Sequence, residues 1–280
     1  TQKEVAIKVV RKEEISTENL EFIKMETDIL KICQHPYVVK LYDIYDYVDN
    51  IFIVMEYCQG GSLYNYFESQ DFKFSELEVV KIVHRLATAI FSMHRLGIVH
   101  RDLKLSNIAL SSEYGSEDLR ILDFGLSKIL GPGEQSNDPF GTLGYAAPEI
   151  LNGSTYDKQV DIWSLGVITY FLICGKMPFN GKSSKKEENY KETLNNTLYN
   201  EPAFEKGWEE VSKECINFCK SALMKDPVKR ITIKEVLEHP WFKKFFEEVV
   251  GRRRKYSKSG KKAATNDFLV YGSIEPNNKE

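Results

Sequence analysis

Asp102, Lys104 and Asn107 lie in one short polar run, His100-Arg101-Asp102-Leu103-Lys104-Leu105-Ser106-Asn107, and Asp123-Phe124-Gly125 follows downstream. The apolar Gly97-Ile98-Val99 ahead of that run predicts a short buried strand, which would fix the loop and aim the three side chains at one small volume. A carboxylate there can orient a hydroxyl and take its proton, and a lysine can neutralise a phosphoryl oxygen. An amide together with a second carboxylate at Asp123 can hold a divalent metal. The combination suits phosphoryl transfer. Either motif alone is weak, because Asp-Phe-Gly is a common turn and His-Arg-Asp can be a surface ion pair.

Several elements must position these groups. Val5 to Val10 is a β-branched run with the pattern of a buried strand, interrupted by Lys8, whose bland reading is an edge lysine with its stem packed and its ammonium in water. Asn19 to Ile32 reads as a helix with an apolar face through Leu20, Ile23, Ile29 and Leu30. Val38 to Tyr42 and Ile51 to Met55 read as strands joined by a polar turn, and Glu56-Tyr57-Cys58-Gln59-Gly60-Gly61 ends the second. A serine and acidic residues open a long helix from Ser75 to Leu96. After the polar run come a strand at Ile108-Ala109-Leu110, a variable turn with Gly115, and a strand at Arg120-Ile121-Leu122 that delivers Asp123. The segment 126–146, with Gly131-Pro132-Gly133, is expected to be a mobile loop without a core of its own.

His-Arg-Asp-Leu-x-x-x-Asn followed by Asp-Phe-Gly, with Val5-Ala6-Ile7-Lys8 upstream and Ala147-Pro148-Glu149 downstream, resembles the eukaryotic protein kinases. The closing stretch Glu235 to Phe242, with Trp208 and Val211-Ser212, is most similar to the calcium/calmodulin-dependent and calcium-dependent kinase group. The resemblance implies an α+β bilobal fold: a partial small lobe and hinge at 1–58, a mainly helical large lobe at 59–246, and a basic extension at 247–280. It implies ATP and Mg²⁺ as cofactors and protein serine or threonine hydroxyls as acceptors. Asp102 would act on the hydroxyl, Lys104 would offset charge on the moving group, and Asn107 and Asp123 would bind Mg²⁺. Lys8 would align ATP, held by Glu26 in the pattern Glu-x-x-Ile-Leu, with Glu21 and Asp28 as alternatives. Ala6, Met55, Glu56, Cys58 and Ala109 would line the adenine pocket, Met55 at its back and Ala109 as an unusually small floor. Leu30, Leu41, His100 and Phe124 would pack as a spine above Asp161, which would hold the catalytic-loop backbone, and Arg230 would pair with Glu149. Thr142 with Lys104 fits serine/threonine acceptors. Arg101 would take an anion from 126–146, either a phosphate on Ser136 or a carboxylate at Glu134 or Asp138.

Composition sets outer bounds. The 280 residues are 42% hydrophobic, enough for a sizeable core, and a formal net charge of -3 gives no general attraction to nucleic acid. Five cysteines show neither a disulfide framework nor paired metal-ligand spacing, so reduced thiols are expected, although Cys215 and Cys219 sit four apart on a predicted helix. There is no signal peptide pattern and no bilayer-spanning apolar run, which makes the cytosol or nucleus the default expectation. No EF-hand pattern is present. Arg252, Arg253, Arg254, Lys255, Lys258, Lys261 and Lys262 form a basic tail that could remain solvated or meet an acidic partner. An upstream kinase or a regulatory segment outside these residues completes the implied partners.

Three departures qualify the resemblance. The two strands and glycine-rich loop that precede the lysine strand in kinases are not among these residues, and an upstream stretch is expected to supply them. Their absence is also the feature that favours a scaffolding pseudokinase as the alternative reading. Where arginine-selecting kinases place carboxylates, this chain has Ser62, Ser106 and Phe171, which predicts weak selection for upstream arginine. Leu105 stands in place of the usual loop proline and so frees a backbone amide.

Overall fold

The computed structural model describes residues 3–112 and 118–245. By spatial contact the chain divides into two units, 1–242 and 243–280. Nearly all of the second, including the basic tail, lies outside the described residues, as does the turn containing Gly115.

The first unit begins with a three-stranded antiparallel sheet of β1 (Val5–Arg11), β2 (Leu41–Asp46) and β3 (Asn50–Glu56), in the order β1-β3-β2. Helix α1 (Thr17–Ile32) lies between β1 and β2 in sequence, and Ser16 caps it by accepting the Asn19 N–H. Val10, Ile51 and Ile53 form the buried seam of this layer, with Leu20 and Ile23 of α1 packed on it. Two expectations change here. β1 is not buried as a whole: Val5, Ile7 and Val9 are exposed, because alternate side chains along a strand point to opposite faces and theirs point away from the core. Ala6, Lys8 and Val10 occupy the opposite face. The expected strand at Val38 starts instead at Leu41, because Val38 and Val39 pair with Ile121 in a parallel bridge, where the Val39 N–H donates to the Ile121 carbonyl at 3.0 Å.

The remainder is mainly helical: α2 (Leu63–Ser69), α3 (Glu76–Arg95), α4 (Pro148–Leu151), α5 (Gln159–Cys174), α6 (Lys186–Tyr199), α7 (Lys213–Ala222) and α8 (Ile233–Leu237). Helix α3 opens on a reciprocal capping box between Ser75 and Glu78, and its apolar face runs through Val79, Ile82, Val83, Leu86, Ile90 and Met93, all buried. Helix α5 is buried on every side from Val160 to Leu172, so it is the central post on which α3 and α7 pack. It ends at Gly175, whose left-handed φ of 67° a side chain would strain. Cys215 and Cys219 are buried on α7 as small apolar groups.

Short strands cross the face of this helical body. β4 (Ile98–Val99) pairs with β7 (Lys128–Ile129), and β5 (Ile108–Leu110) pairs with β6 (Leu119–Ile121). The polar run 100–107 is thus anchored by strands at both ends, and the second pair carries Asp123 beside it. No helix among the described residues is long and apolar enough to cross a membrane.

Candidate active site

The loop after β4 is held from beneath. Asp161, fully buried on α5, accepts the His100 N–H at 3.0 Å, the Arg101 N–H at 2.9 Å and His94 Nε2 at 2.9 Å. Burial alone would raise its pKa, but the His94 bond and the His100 amide outweigh that and hold the carboxyl below its usual range. Arg101 sits at φ 69° and Asp123 at φ 55°, left-handed conformations that residues with a Cβ seldom adopt. Such strain persists only where the surroundings over-determine the backbone, and here it falls on both motifs that carry the chemistry.

Above Asp161 the expected side chains converge. Lys104 Nζ donates to Asp102 Oδ2 at 2.7 Å and to Thr142 Oγ1 at 2.8 Å, and Thr142 Oγ1 donates to Asp102 Oδ1 at 2.6 Å. Asn107 Nδ2 donates to the Asp102 carbonyl at 2.9 Å and to Asp102 Oδ2 at 3.0 Å. Both N–H groups of the amide are therefore committed, and its oxygen is what remains to offer a ligand. The Leu105 backbone bonds to the Tyr145 hydroxyl, so the amide that a proline would lack is used; burial nonetheless pushes Tyr145 up to about 12.

Lys8 Nζ bonds both oxygens of Glu26 at 2.8 and 2.7 Å, and Glu26 is only 3% exposed, so α1 and β1 are joined at the cleft. Glu21 and Asp28 do not take that place; Asp28 pairs with Lys31 on the helix surface. A cavity of about 490 Å³ is lined by Ala6, Lys8, Glu26, Met55, Glu56, Cys58, Ala109 and Asp123 among others. The Glu56 carboxylate accepts from Arg120 Nε at 3.0 Å, and Glu56, Tyr57 and Cys58 at the end of β3 line the cavity. Gly60 is required there, because a Cβ would come within 2.3 Å of the Ser112 carbonyl oxygen. Leu30, His100 and Phe124 are all buried, with the His100 and Phe124 rings 5.0 Å apart.

The segment 126–146 carries more structure than expected. β7 binds it to β4, and Ser136 exchanges backbone hydrogen bonds with Tyr156 at 2.9 and 2.8 Å. Ser136 is 3% exposed, and its hydroxyl donates to Asp138 Oδ2 at 2.7 Å. In this arrangement it is not presented for phosphorylation. Asp138 is the anion that Arg101 receives, at 2.7 Å from Nη1, while Glu134 accepts from the Gly131 N–H. The Ser136 hydrogen bond, then Arg101 and Lys128, overcome partial desolvation and hold Asp138 down to about 2.

The donors suit the implied groups. A carboxylate and an amide oxygen are hard ligands of the kind Mg²⁺ completes with phosphate oxygens and water. The cleft offers an apolar wall, the residues that end β3 and a half-buried ion pair, as a purine nucleotide polyphosphate requires.

Comparison with known proteins agrees with this geometry. The family described as protein kinase domain matches residues 1–242, and the chain belongs to that family. Such enzymes use ATP and Mg²⁺. Within the family the chain is an ATP-dependent serine/threonine kinase domain of the calcium/calmodulin-dependent group, as its relatives indicate. It is 38% identical to "Myosin light chain kinase A" of Dictyostelium discoideum, over 87% of this chain and 80% of that protein. It is 36% identical to "CDPK-related kinase 7" of Arabidopsis thaliana, over 85% of this chain and 41% of the relative. It is 35% identical to "Serine/threonine-protein kinase SIK1" of Rattus norvegicus, over 86% of this chain and 30% of the relative. The chain thus spans most of the first relative and less than half of the other two.

Proposed function

We propose that this chain phosphorylates serine and threonine hydroxyls of protein substrates in signalling, with Asp102 as the group that orients and deprotonates the acceptor. The observation that carries the reading is the closed triangle of Asp102, Lys104 and Thr142, with sides of 2.6 to 2.8 Å. When bound, Mg²⁺-ATP supplies the transferable phosphoryl group and much of the charge neutralisation. Asp102 accepts the acceptor's proton. Lys104 places a cation where negative charge accumulates, and Thr142 holds both side chains in register. Asn107 and Asp123 offer oxygens to the metal, and Lys8, fixed by Glu26, binds phosphate oxygens. Met55 and Ala109 bound the base, with the Glu56 and Cys58 backbone as its hydrogen-bonding edge. The intact set of Lys8, Glu26, Asp102, Asn107 and Asp123 supports catalysis over a purely scaffolding role.

The test is Mg²⁺-ATP-dependent incorporation of phosphate into a mixed peptide library by the whole protein and its Asp102→Asn variant. Incorporation that disappears with Asp102→Asn, and falls on serine and threonine, is the expected result. Silence in the wild type, even after treatment with candidate activating kinases, would favour the scaffold.

A further inference from the structure

Glu56 is the last residue of β3, and its carboxylate is committed to the β5–β6 hairpin. Arg120 Nε donates to Glu56 Oε1 at 3.1 Å and to Oε2 at 3.0 Å, and the Ser111 hydroxyl donates to Oε1 at 3.3 Å. The two charged side chains are only 15% and 19% exposed, so little water competes for them and either one alone would be a poorly solvated charge. The Glu56 N–H donates in turn to the Lys40 carbonyl at 2.9 Å. The end of β3 is therefore fixed through both its backbone and its side chain.

The same hairpin holds the chain again a few residues on. The Gly60 N–H donates to the Leu110 carbonyl at 3.0 Å, the Leu110 N–H donates to the Gly61 carbonyl at 2.9 Å, and Ser62 bridges to Ala109. Ala109 is the register partner of Arg120 across β5 and β6. The segment after β3 is thus gripped at two points, by an ion pair at Glu56 and by backbone bonds at Gly60 and Gly61. Tyr57, Cys58 and Gln59 span the interval, and Tyr57 and Cys58 line the cavity opposite whose other residues stand Ala109 and Asp123. A hydrogen-bonding edge has a tolerance of a few tenths of an ångström, so a span free at its β3 end would present its N–H and carbonyl groups less often in register.

We propose that Glu56 and Arg120 are positioning residues for nucleotide binding: their ion pair fixes the 57–59 backbone against the hairpin that carries Ala109, so that the edge and the floor of the base site keep one separation. The proposal rests on the kinase reading for the identity of the ligand. Its consequence falls on the base and not on the phosphates, because Lys8, Glu26 and Asp102 take no part in the ion pair.

The experiment titrates adenosine and Mg²⁺-ATP by calorimetry into the whole protein and its Glu56→Gln, Arg120→Met, Arg120→Lys, Asp118→Asn and Glu56→Gln/Arg120→Met variants. Turnover with a serine peptide and amide exchange over 56–61 are followed in the same set. Expected is a loss of about five- to tenfold in affinity for Glu56→Gln and Arg120→Met, by the same factor for adenosine as for Mg²⁺-ATP. The double variant should be no worse than the poorer single, and Arg120→Lys should recover part of the loss. Asp118 bonds Arg120 Nη1 and not Glu56, so Asp118→Asn should stay within about twofold of wild type. Exchange over 57–61 should rise in Arg120→Met, while its kcat at saturating ATP falls by less than about twofold. A loss for Mg²⁺-ATP without one for adenosine overturns the proposal, since the ion pair would then act on the phosphate end. Unchanged exchange, additive losses in the double variant, or a kcat that rises in Arg120→Met overturn it as well. A wild type that binds neither ligand and transfers no phosphate defeats the kinase reading and the proposal together, whereas variants that bind both ligands as wild type does defeat the proposal alone.

Discussion

Thr142 donates to Asp102 and accepts from Lys104, so one hydroxyl fixes the separation of the two charged groups. Thr142→Ala leaves both charges in place but removes their common partner, at a cost of about 1 to 3 kcal/mol in positioning. Turnover is expected to fall about ten- to a hundredfold with little change in KM for ATP, while Thr142→Ser retains most activity. Steady-state kinetics on the three proteins checks this, and equal losses in the serine and alanine variants would show that the methyl group matters, not the hydrogen bond. Lys8 poses a contrasting case. Its ammonium pairs with Glu26 across two elements, so Lys8→Met should raise KM for ATP and lower kcat together, as nucleotide titration and turnover would reveal.

At the scale of elements, the anchor after 126–146 depends on a buried ion pair. Arg230, between α7 and α8, forks onto Glu149 of α4 at 2.6 and 2.9 Å, and also donates to the Met224 and Gln159 carbonyls. Removing one partner strands the other charge, so Glu149→Ala or Arg230→Ala should each cost about 3 to 5 kcal/mol by chemical denaturation. The double variant should lose less than the sum of the two. Helix α3 contributes a pH dependence. Burial lowers His84 to about 4, and the neighbouring Arg85 pushes in the same direction. The unfolded chain therefore binds a proton that the fold refuses between about pH 6.5 and 4. The contribution is fully present above that window and is lost as pH falls through it, on the order of 3 kcal/mol. Denaturation midpoints at pH 7.5 and 5 should converge in His84→Met relative to wild type.

For the molecule as a whole, the kinase resemblance singles out three positions, 62, 106 and 171, where arginine-selecting relatives place carboxylates. Ser62 spends its hydroxyl as the cap of α2, Ser106 is exposed, and Phe171 is buried in an aromatic cluster with its ring stacked on Tyr64 at 6.4 Å. No carboxylate stands at these three positions to receive a substrate guanidinium. In a positional peptide library, upstream arginine should therefore be favoured over alanine by less than about fivefold, the scale of one exposed ion pair. Ser106→Glu should increase that preference. A strong arginine requirement in wild type would mean that another acidic group serves the groove.

Much of this protein is determined locally. The helix start at Ser75 is legible because a serine oxygen satisfies an orphan amide three residues onward, and the apolar spacing of α3 follows from helical pitch, whereas α1, expected from Asn19, starts at Thr17 behind the Ser16 cap. The chemistry of Asp102, Lys104 and Asn107 is equally legible, since they share one loop. Other features join residues far apart in the chain. Val39 takes its partner from β6 and not β3, the outer face of β1 is exposed, and Ser136 is buried and bridged to the Tyr156 backbone. The choice of Asp138 over Ser136 or Glu134 as the partner of Arg101, and the meeting of Phe22 with Phe140, also belong to that set. Caps and periodicity specify which element forms and which way its side chains alternate. What lies against each face is decided by close packing among distant segments, and only the tertiary structure brings those segments together.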